Sequence, residues 1–216
     1  MKIAVSWSGG KDSMMMLHHL LSKNLPVQKL FTTFQQEQKR TISHYIKKEL
    51  VISQAQSLEL SFDEVRLPTH PSNEQYEQIM NQFYSKLEAE NYHSIAFGDL
   101  FLEDIRNYRE YHLAKRRLKP IFPIWGNDSN QLAKDFIELG YRAVIVAING
   151  DILSKELLGA EFDENLLNSL PSSCDVCGEH GEFHTFVYDG PLFHKPITFR
   201  KGGVYQDGGI YWMELY

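Results

Sequence analysis

The sequence predicts an α/β protein: a parallel sheet covered by helices on both faces, followed by a smaller α+β part. Three observations carry that expectation. The chain opens on an apolar run, Ile3-Ala4-Val5, then a glycine-containing loop, then a helical stretch. Strand-like and helix-like segments alternate through the first hundred or so positions, the order that favours parallel strands and a ligand at their carboxyl ends. The last segments are rich in β-forming residues between Gly-rich turns, which suits antiparallel strands.

Taken in order, the first strand is expected from Lys2 to Trp7. A helix begins near Asp12 or Ser13, with Met14, Leu17 and Leu21 at helical spacing, and Leu25-Pro26 closes the unit. Val27 to Phe34 reads as a second strand, Ile42 to Leu58 as an amphipathic helix, and Phe62 to Leu67 as a strand stopped by Pro68. Ser72 or Asn73 caps the next helix, which places Tyr76, Ile79, Met80, Phe83 and Leu87 on one face. Ser94 to Phe97 is a short buried strand ending at Gly98-Asp99, and Asp104 to Leu118 is helical until Pro120 and Pro123 break it. That break divides the chain into residues 1–119, which carry the parallel sheet, and 120–216. The second part holds a helix from Asn130 to Leu139, an apolar strand from Ala143 to Ile148, a short helix near Asp163 to Leu170, and strands over Glu182–Tyr188, Ile197–Arg200 and Ile210–Leu215.

Composition narrows the function classes. The 216 residues are 43% hydrophobic and 23% charged, ordinary for a globular protein and unlike disordered or fibrous chains. No stretch approaches the roughly 20 apolar residues of a membrane span, and the first strand starts at once, leaving no room for a signal peptide; a cytoplasmic protein is expected. A net charge of −6 argues against a protein that coats nucleic acid. The one basic cluster, Lys115-Arg116-Arg117 with Lys119, reads first as the solvated last turn of a helix. Two cysteines fit a reducing compartment.

Ser8-Gly9-Gly10-Lys11-Asp12-Ser13 is the most informative segment. Paired glycines allow close backbone approach, a helix start offers free N–H groups and a positive dipole end, and Lys11 adds a full charge; together they suit a polyphosphate. Capping by Ser8 or Asp12 explains single residues of this set but not all of them directly after a first strand. A second unusual stretch is Gly178-Glu179-His180-Gly181-Glu182-Phe183-His184-Thr185, where Glu179 and Glu182 could act as general bases and Thr185 could bind a substrate oxygen or phosphate. By composition alone it is equally a solvated hairpin entry. Cys174, Cys177, His180 and His184 have donor types that zinc accepts, but the gap between the pairs is far shorter than in zinc modules, so no metal site is assigned.

The spacing of the first loop differs from the common P-loop and resembles the PP-loop of the ATP pyrophosphatases. With Phe97-Gly98-Asp99, Pro123-Ile124-Trp125, the Gly178-Glu179-x-Gly181-Glu182-x-x-Thr185 segment, Asp189 and Pro191-Leu192-Phe193, the chain resembles the diphthine–ammonia ligase family of PP-loop enzymes from residue 1 to Phe193. The resemblance implies a Rossmann-like domain of the adenine-nucleotide α-hydrolase type, a smaller domain supplying the substrate side of a cleft, and ATP with Mg²⁺ as cofactors. It implies a ligase that adenylates a carboxylate, releases pyrophosphate and passes the acyl group to ammonia or an amine. The acceptor is a small molecule or borne on a protein, and a homodimer is left open. Ser8, Gly9, Gly10, Lys11, Asp12, Ser13, Phe34 and Gly98 then hold the nucleotide, with Asp12 capping the helix or reaching the metal through water. Lys11, Asp99, Glu179, Glu182 and Thr185 are the catalytic candidates, and His44 and Arg109 weaker ones. His184 stands where family members carry an acidic residue, and Gly98 to Asp104 with Arg106 and Arg109 resembles the bacterial branch, so the reaction type carries over better than the substrate. The competing readings are a tRNA-modifying PP-loop enzyme, a thiolating enzyme using Cys174 and Cys177, and a non-catalytic adenine-nucleotide-binding module.

Overall fold

A computed structural model describes residues 1–216. Its first sheet has five parallel strands in the order β3-β2-β1-β4-β5, with β1 Ile3–Ser6, β2 Val27–Gln35, β3 Ser61–Leu67, β4 Ser94–Ala96 and β5 Lys119–Ile121. Helices α1 Lys11–Ser22, α2 Lys48–Ser57, α3 Asn73–Ala89 and α4 Glu103–Leu113 make the connections. Both faces of the sheet are buried, as parallel strands require. Ile3 and Val5 point into a core shared with the second half of the chain, while Ala4, Phe31, Ile95 and Phe97 point to a separate core under α3 and α4.

The second sheet is antiparallel, ordered β7-β6-β9-β8, from β6 Arg142–Asn149, β7 Phe183–Asp189, β8 Lys201–Asp207 and β9 Ile210–Leu215. Helix α5 Ser129–Glu138 precedes it, and the short α6 Glu164–Ser169 lies between β6 and β7. The large core runs without a break from β1 and α1 through α5 to β6 and β7. The two halves are therefore packed as one body around it.

Most elements match the expectation, and the departures have local causes. Ile42 to Leu58 is helical only from Lys48. Ahead of it the Thr41 N–H donates to the Ile46 carbonyl at 2.9 Å, and the Thr41 hydroxyl accepts from the Ile46 N–H at 3.0 Å. Such local bonds compete with the helix ladder, and Tyr45 takes a left-handed φ of +56°. The helix expected to reach Leu118 stops at Leu113, because Arg116 turns back onto α3 through Asn81 and Glu88. Lys119 to Ile121 then pairs with β4, which carries the first sheet past residue 119. The strand expected at Ile197–Arg200 lies instead at Lys201–Asp207, with Gly202 and Gly203 inside it rather than in a turn. A Cβ on Gly202 would fall 2.3 Å from the Tyr216 ring, so glycine marks a close approach there.

Candidate functional site

A cavity of about 410 Å³ opens over the carboxyl ends of β1, β2 and β4. Ser8, Lys11, Asp12 and Ser13 line it from the first loop and α1, Thr32 and Thr33 from β2, Gly98 and Asp99 from the loop after β4, and Arg109 from α4. The second half contributes Gly178, Glu179, Phe183, His184 and Thr185. Thr41 to His44 form a further wall. Residues far apart in sequence thus meet at one place because parallel strands all end on the same side.

The first loop is built from its own small side chains. The Ser8 hydroxyl accepts from the Gly10 N–H at 3.2 Å and lies 3.2 Å from the Ser13 hydroxyl, which donates to the Gly10 carbonyl at 2.8 Å. Gly9 has φ +84°, and a Cβ there would fall 2.9 Å from the Gln54 amide oxygen. A Cβ on Gly10 would fall 2.5 Å from His44 Cε1. Both glycines are thus required by packing against α2 and the 41–47 loop, whatever approaches from the cavity. Gln54, fully buried, donates to the carbonyls of Gly9 and Val187 and accepts from the Trp7 indole at 2.9 Å. One amide side chain so ties the loop to both sheets, a contact with no signature in the sequence.

Lys11 is 3% exposed. Its Nζ pairs with both Asp12 oxygens at 2.8 and 2.9 Å, donates to the Cys177 carbonyl, and lies over the Phe162 and Phe183 rings. Burial alone would favour the neutral amine, but Asp12 and the surrounding negative groups outweigh it and hold the ammonium above its usual range. Its backbone N–H donates to the Thr185 hydroxyl at 3.0 Å. Asp99 holds Arg109 in a bidentate pair at 2.6 and 3.0 Å, and that guanidinium lies 4.3 Å above the Phe97 ring. Glu179 reaches across from the second half to accept the Leu100 N–H at 2.9 Å. Burial, helped by the charges of Asp12 and Asp99, lifts its carboxyl to about 7.

Four expected site residues do not line the cavity: Gly9 and Gly10, which pack against α2 and the 41–47 loop, and Phe34 and Glu182, which lie elsewhere. Phe34 is 2% exposed and packs in the large core against Phe62, one position beyond Thr32 and Thr33, where β2 meets the cavity. Glu182 is also 2% exposed and outside the cavity. Its two oxygens accept the Asp175 N–H at 2.9 Å and the His180 N–H at 3.0 Å, so it organises the turn that presents Glu179. Both cysteines are free and buried, and burial raises their thiols to about 11 at Cys174 and about 12 at Cys177. His180 rests on Phe101 while His184 stacks on His44, so the Cys-His segment does not converge on one point. His44 and Arg109, the weaker candidates, both line the cavity.

Two family models match the chain, the diphthamide synthase N-terminal domain over residues 1–116 and the diphthamide synthase C-terminal domain over residues 128–215. Among curated proteins, a diphthine–ammonia ligase of Schizosaccharomyces pombe is 26% identical over 221 residues, covering 92% of this chain and 36% of that protein. The Rattus norvegicus diphthine–ammonia ligase is 28% identical over 145 residues, 64% of this chain and 54% of that one. The chain spans between about a third and a half of the length of these relatives. Among solved structures, a predicted subunit of tRNA methyltransferase from Methanocaldococcus jannaschii superposes with a TM-score of 0.44 at 17% identity, over 68% of this chain and 80% of that one. A U34-tRNA thiolase from Methanococcus maripaludis gives 0.39 at 20% identity, over 65% and 58%. No helix is long and apolar enough to cross a membrane.

Proposed function

The chain belongs to the diphthamide synthase family, and from that premise we propose that it is an ATP-dependent, amide-forming ligase. A carboxylate acceptor attacks the α-phosphorus of ATP, pyrophosphate leaves, and ammonia or an amine displaces AMP from the acyl adenylate. The names of the relatives point to diphthine as acid and ammonia as amine. For this chain we propose the reaction with a carboxylate borne on a protein or small molecule.

The observation that carries the reading is that one cavity holds both the Ser8–Ser13 loop with its buried ammonium and the Glu179 carboxyl, supplied by opposite halves of the chain. Charge builds on the departing pyrophosphate, and a preorganised cation beside N–H donors stabilises it. Lys11 is that cation, and the Gly10 and Lys11 N–H groups are the donors, at present held by the Ser8 and Thr185 hydroxyls. Phosphate oxygens would compete with those hydroxyls for the same hydrogens. The serine hydroxyls and the Asp12 carboxylate are oxygen donors that suit Mg²⁺, which when bound with ATP neutralises phosphate charge. Glu179, with a carboxyl that titrates near neutrality, suits proton removal from the attacking amine. Asp99, engaged by Arg109, positions that arginine against the cavity.

The test is the identity of the nucleotide products. Incubation of the protein with labelled ATP, ammonium and a panel of carboxylic acids should give AMP and pyrophosphate in equal amounts with at least one acid. ADP and phosphate as the only products would remove the assignment.

A further inference from the structure

Two histidines face the cavity without a role in the reaction above. His44 comes from the loop between β2 and α2 and His184 from β7; their rings are 4.5 Å apart and inclined by 34°. The His44 Nδ1 lies 2.9 Å from the Thr185 carbonyl oxygen. A carbonyl oxygen can only accept, so Nδ1 carries the proton, and in the neutral ring Nε2 is a bare lone pair. Burial favours the neutral ring at both residues, and the charge of nearby Lys11 reinforces it against the opposing pull of Asp12 on His44. The Thr185 carbonyl is the single hydrogen-bond partner of the pair, which leaves His44 Nε2 as an unpartnered acceptor and His184, with one acceptor nitrogen in its neutral ring, unpartnered as well, and both residues line the cavity.

A bare imidazole nitrogen selects its ligand. Phosphate and carboxylate oxygens bring lone pairs and no proton, so they are repelled by it, whereas N–H groups are attracted. Of the three substrates proposed above, the amine is the one whose reacting atom is a donor. The position also suits it: His44 sits directly against Gly10, so closely that a Cβ there would clash, beside the loop where the phosphates and the adenylate would lie. We propose that His44 and His184 form the amine subsite, accepting N–H groups of ammonium or a primary amine next to the phosphate loop. This rests on the ligase reading, and the test separates the two.

Protein labelled at its histidine ring nitrogens is titrated with ammonium, methylammonium and potassium chlorides at matched ionic strength, each with and without α,β-methylene-ATP. The expected result is a saturable shift of the unprotonated His44 and His184 nitrogens with ammonium or methylammonium and none with potassium. His44→Phe, and separately His184→Phe, should weaken that response about tenfold or more while analogue affinity stays within about threefold. A response to ammonium but not to methylammonium assigns ammonia as the donor; a response to both assigns an amine site of broader reach. An equal response to potassium, a shift completed by the nucleotide analogue with nothing added by ammonium, or no shift at all would each overturn the subsite. Failure of the analogue to bind the unmodified protein would count against the ligase reading alone, since the titration without nucleotide still reads the histidines.

Discussion

The backbone N–H of Lys11 donates to the Thr185 hydroxyl at 3.0 Å, joining the first turn of α1 to β7 across 174 positions of sequence. The same Thr185 accepts the His44 Nδ1 proton on its carbonyl. Its side chain therefore holds the phosphate loop while its backbone orients a histidine, and a substitution separates the two. Thr185→Val leaves the Lys11 N–H unpaired in a buried place, which costs about 1–3 kcal/mol, and Thr185→Ser restores the acceptor. Urea denaturation of the two variants should show the valine variant less stable by that amount and the serine variant close to the parent. Equal stability would mean the bond does not hold the loop.

Lys11 is expected to matter for both stability and binding. Because its ammonium is buried against Asp12, Cys177 and two aromatic rings, Lys11→Ala removes packing as well as charge, whereas Lys11→Met keeps most of the volume. Either change strands the partly exposed Asp12 carboxylate, and we expect a loss of about 1–3 kcal/mol, scaled down from a fully buried pair. Both variants should bind α,β-methylene-ATP more weakly by about tenfold or more. Calorimetric titration beside a thermal melt separates the effects, and undiminished nucleotide affinity in the folded methionine variant would take Lys11 out of the phosphate site.

Much of this site was legible in the sequence because strand, loop and helix follow one another without interruption. Ser8 to Ser13 places itself: an apolar strand must end, and the glycines and Lys11 stand where it does. Glu179 was legible as a carboxylate in an unusual segment. Phe34 was misplaced because an aromatic at a strand end reads equally as cavity wall or as core; it packs against Phe62, and Thr32 and Thr33 just before it line the cavity. Glu182 has the same residue type and neighbourhood as Glu179, and only the turn between them decides that one carboxylate faces outward and the other closes on backbone N–H groups. His44 and Gln54 act through partners more than a hundred positions away, Thr185 and Val187. No local pattern encodes such a meeting.

The two glutamates should behave oppositely. The Glu179 carboxyl is raised from 4.5 to about 7, so its basic form appears as the pH rises through about 7, and the rate of AMP release should rise with it. Glu179→Gln should lose that limb and most activity. The stability sign follows from the same shift: a raised carboxyl stabilises the fold fully below 4.5, and this contribution is lost as the pH rises through about 7. The parent should therefore lose stability across that window relative to Glu179→Gln. Glu182→Gln can keep only one of two backbone N–H bonds on its remaining carbonyl oxygen, so it should lose about 1–2 kcal/mol with the pH limb of turnover intact. A limb that vanished in the Glu182 variant and survived in the Glu179 variant would reverse the assignment.

The wall that carries His44 is fastened from outside the cavity by the last strand. The Tyr45 ring stacks on Trp212 of β9 at 5.2 Å and 7°, and the Arg40 guanidinium lies 4.7 Å from the same indole. Glu214, two positions on, pairs with Arg40 and with Lys47 at 3.2 Å; the Tyr216 hydroxyl and then Arg40 and Lys47 draw its carboxyl down to about 2. The backbones of Arg40 and Lys47 pair in an isolated antiparallel bridge, closing the loop at its base. The loop has little apolar burial of its own beyond Ile46, so its order should depend on this external grip. Trp212→Ala removes the stacking surface of Tyr45 and Arg40 at once, while the first loop and α1, which do not touch Trp212 in these contacts, keep their bonds. Amide hydrogen exchange at one fixed pH should then quicken across residues 40–47 with the Gly10 to Ser22 amides unchanged, and the ammonium response of His44 should weaken more than nucleotide binding does. Unchanged protection over 40–47 would show that Thr185 and Gly10 hold this wall without help from the last strand.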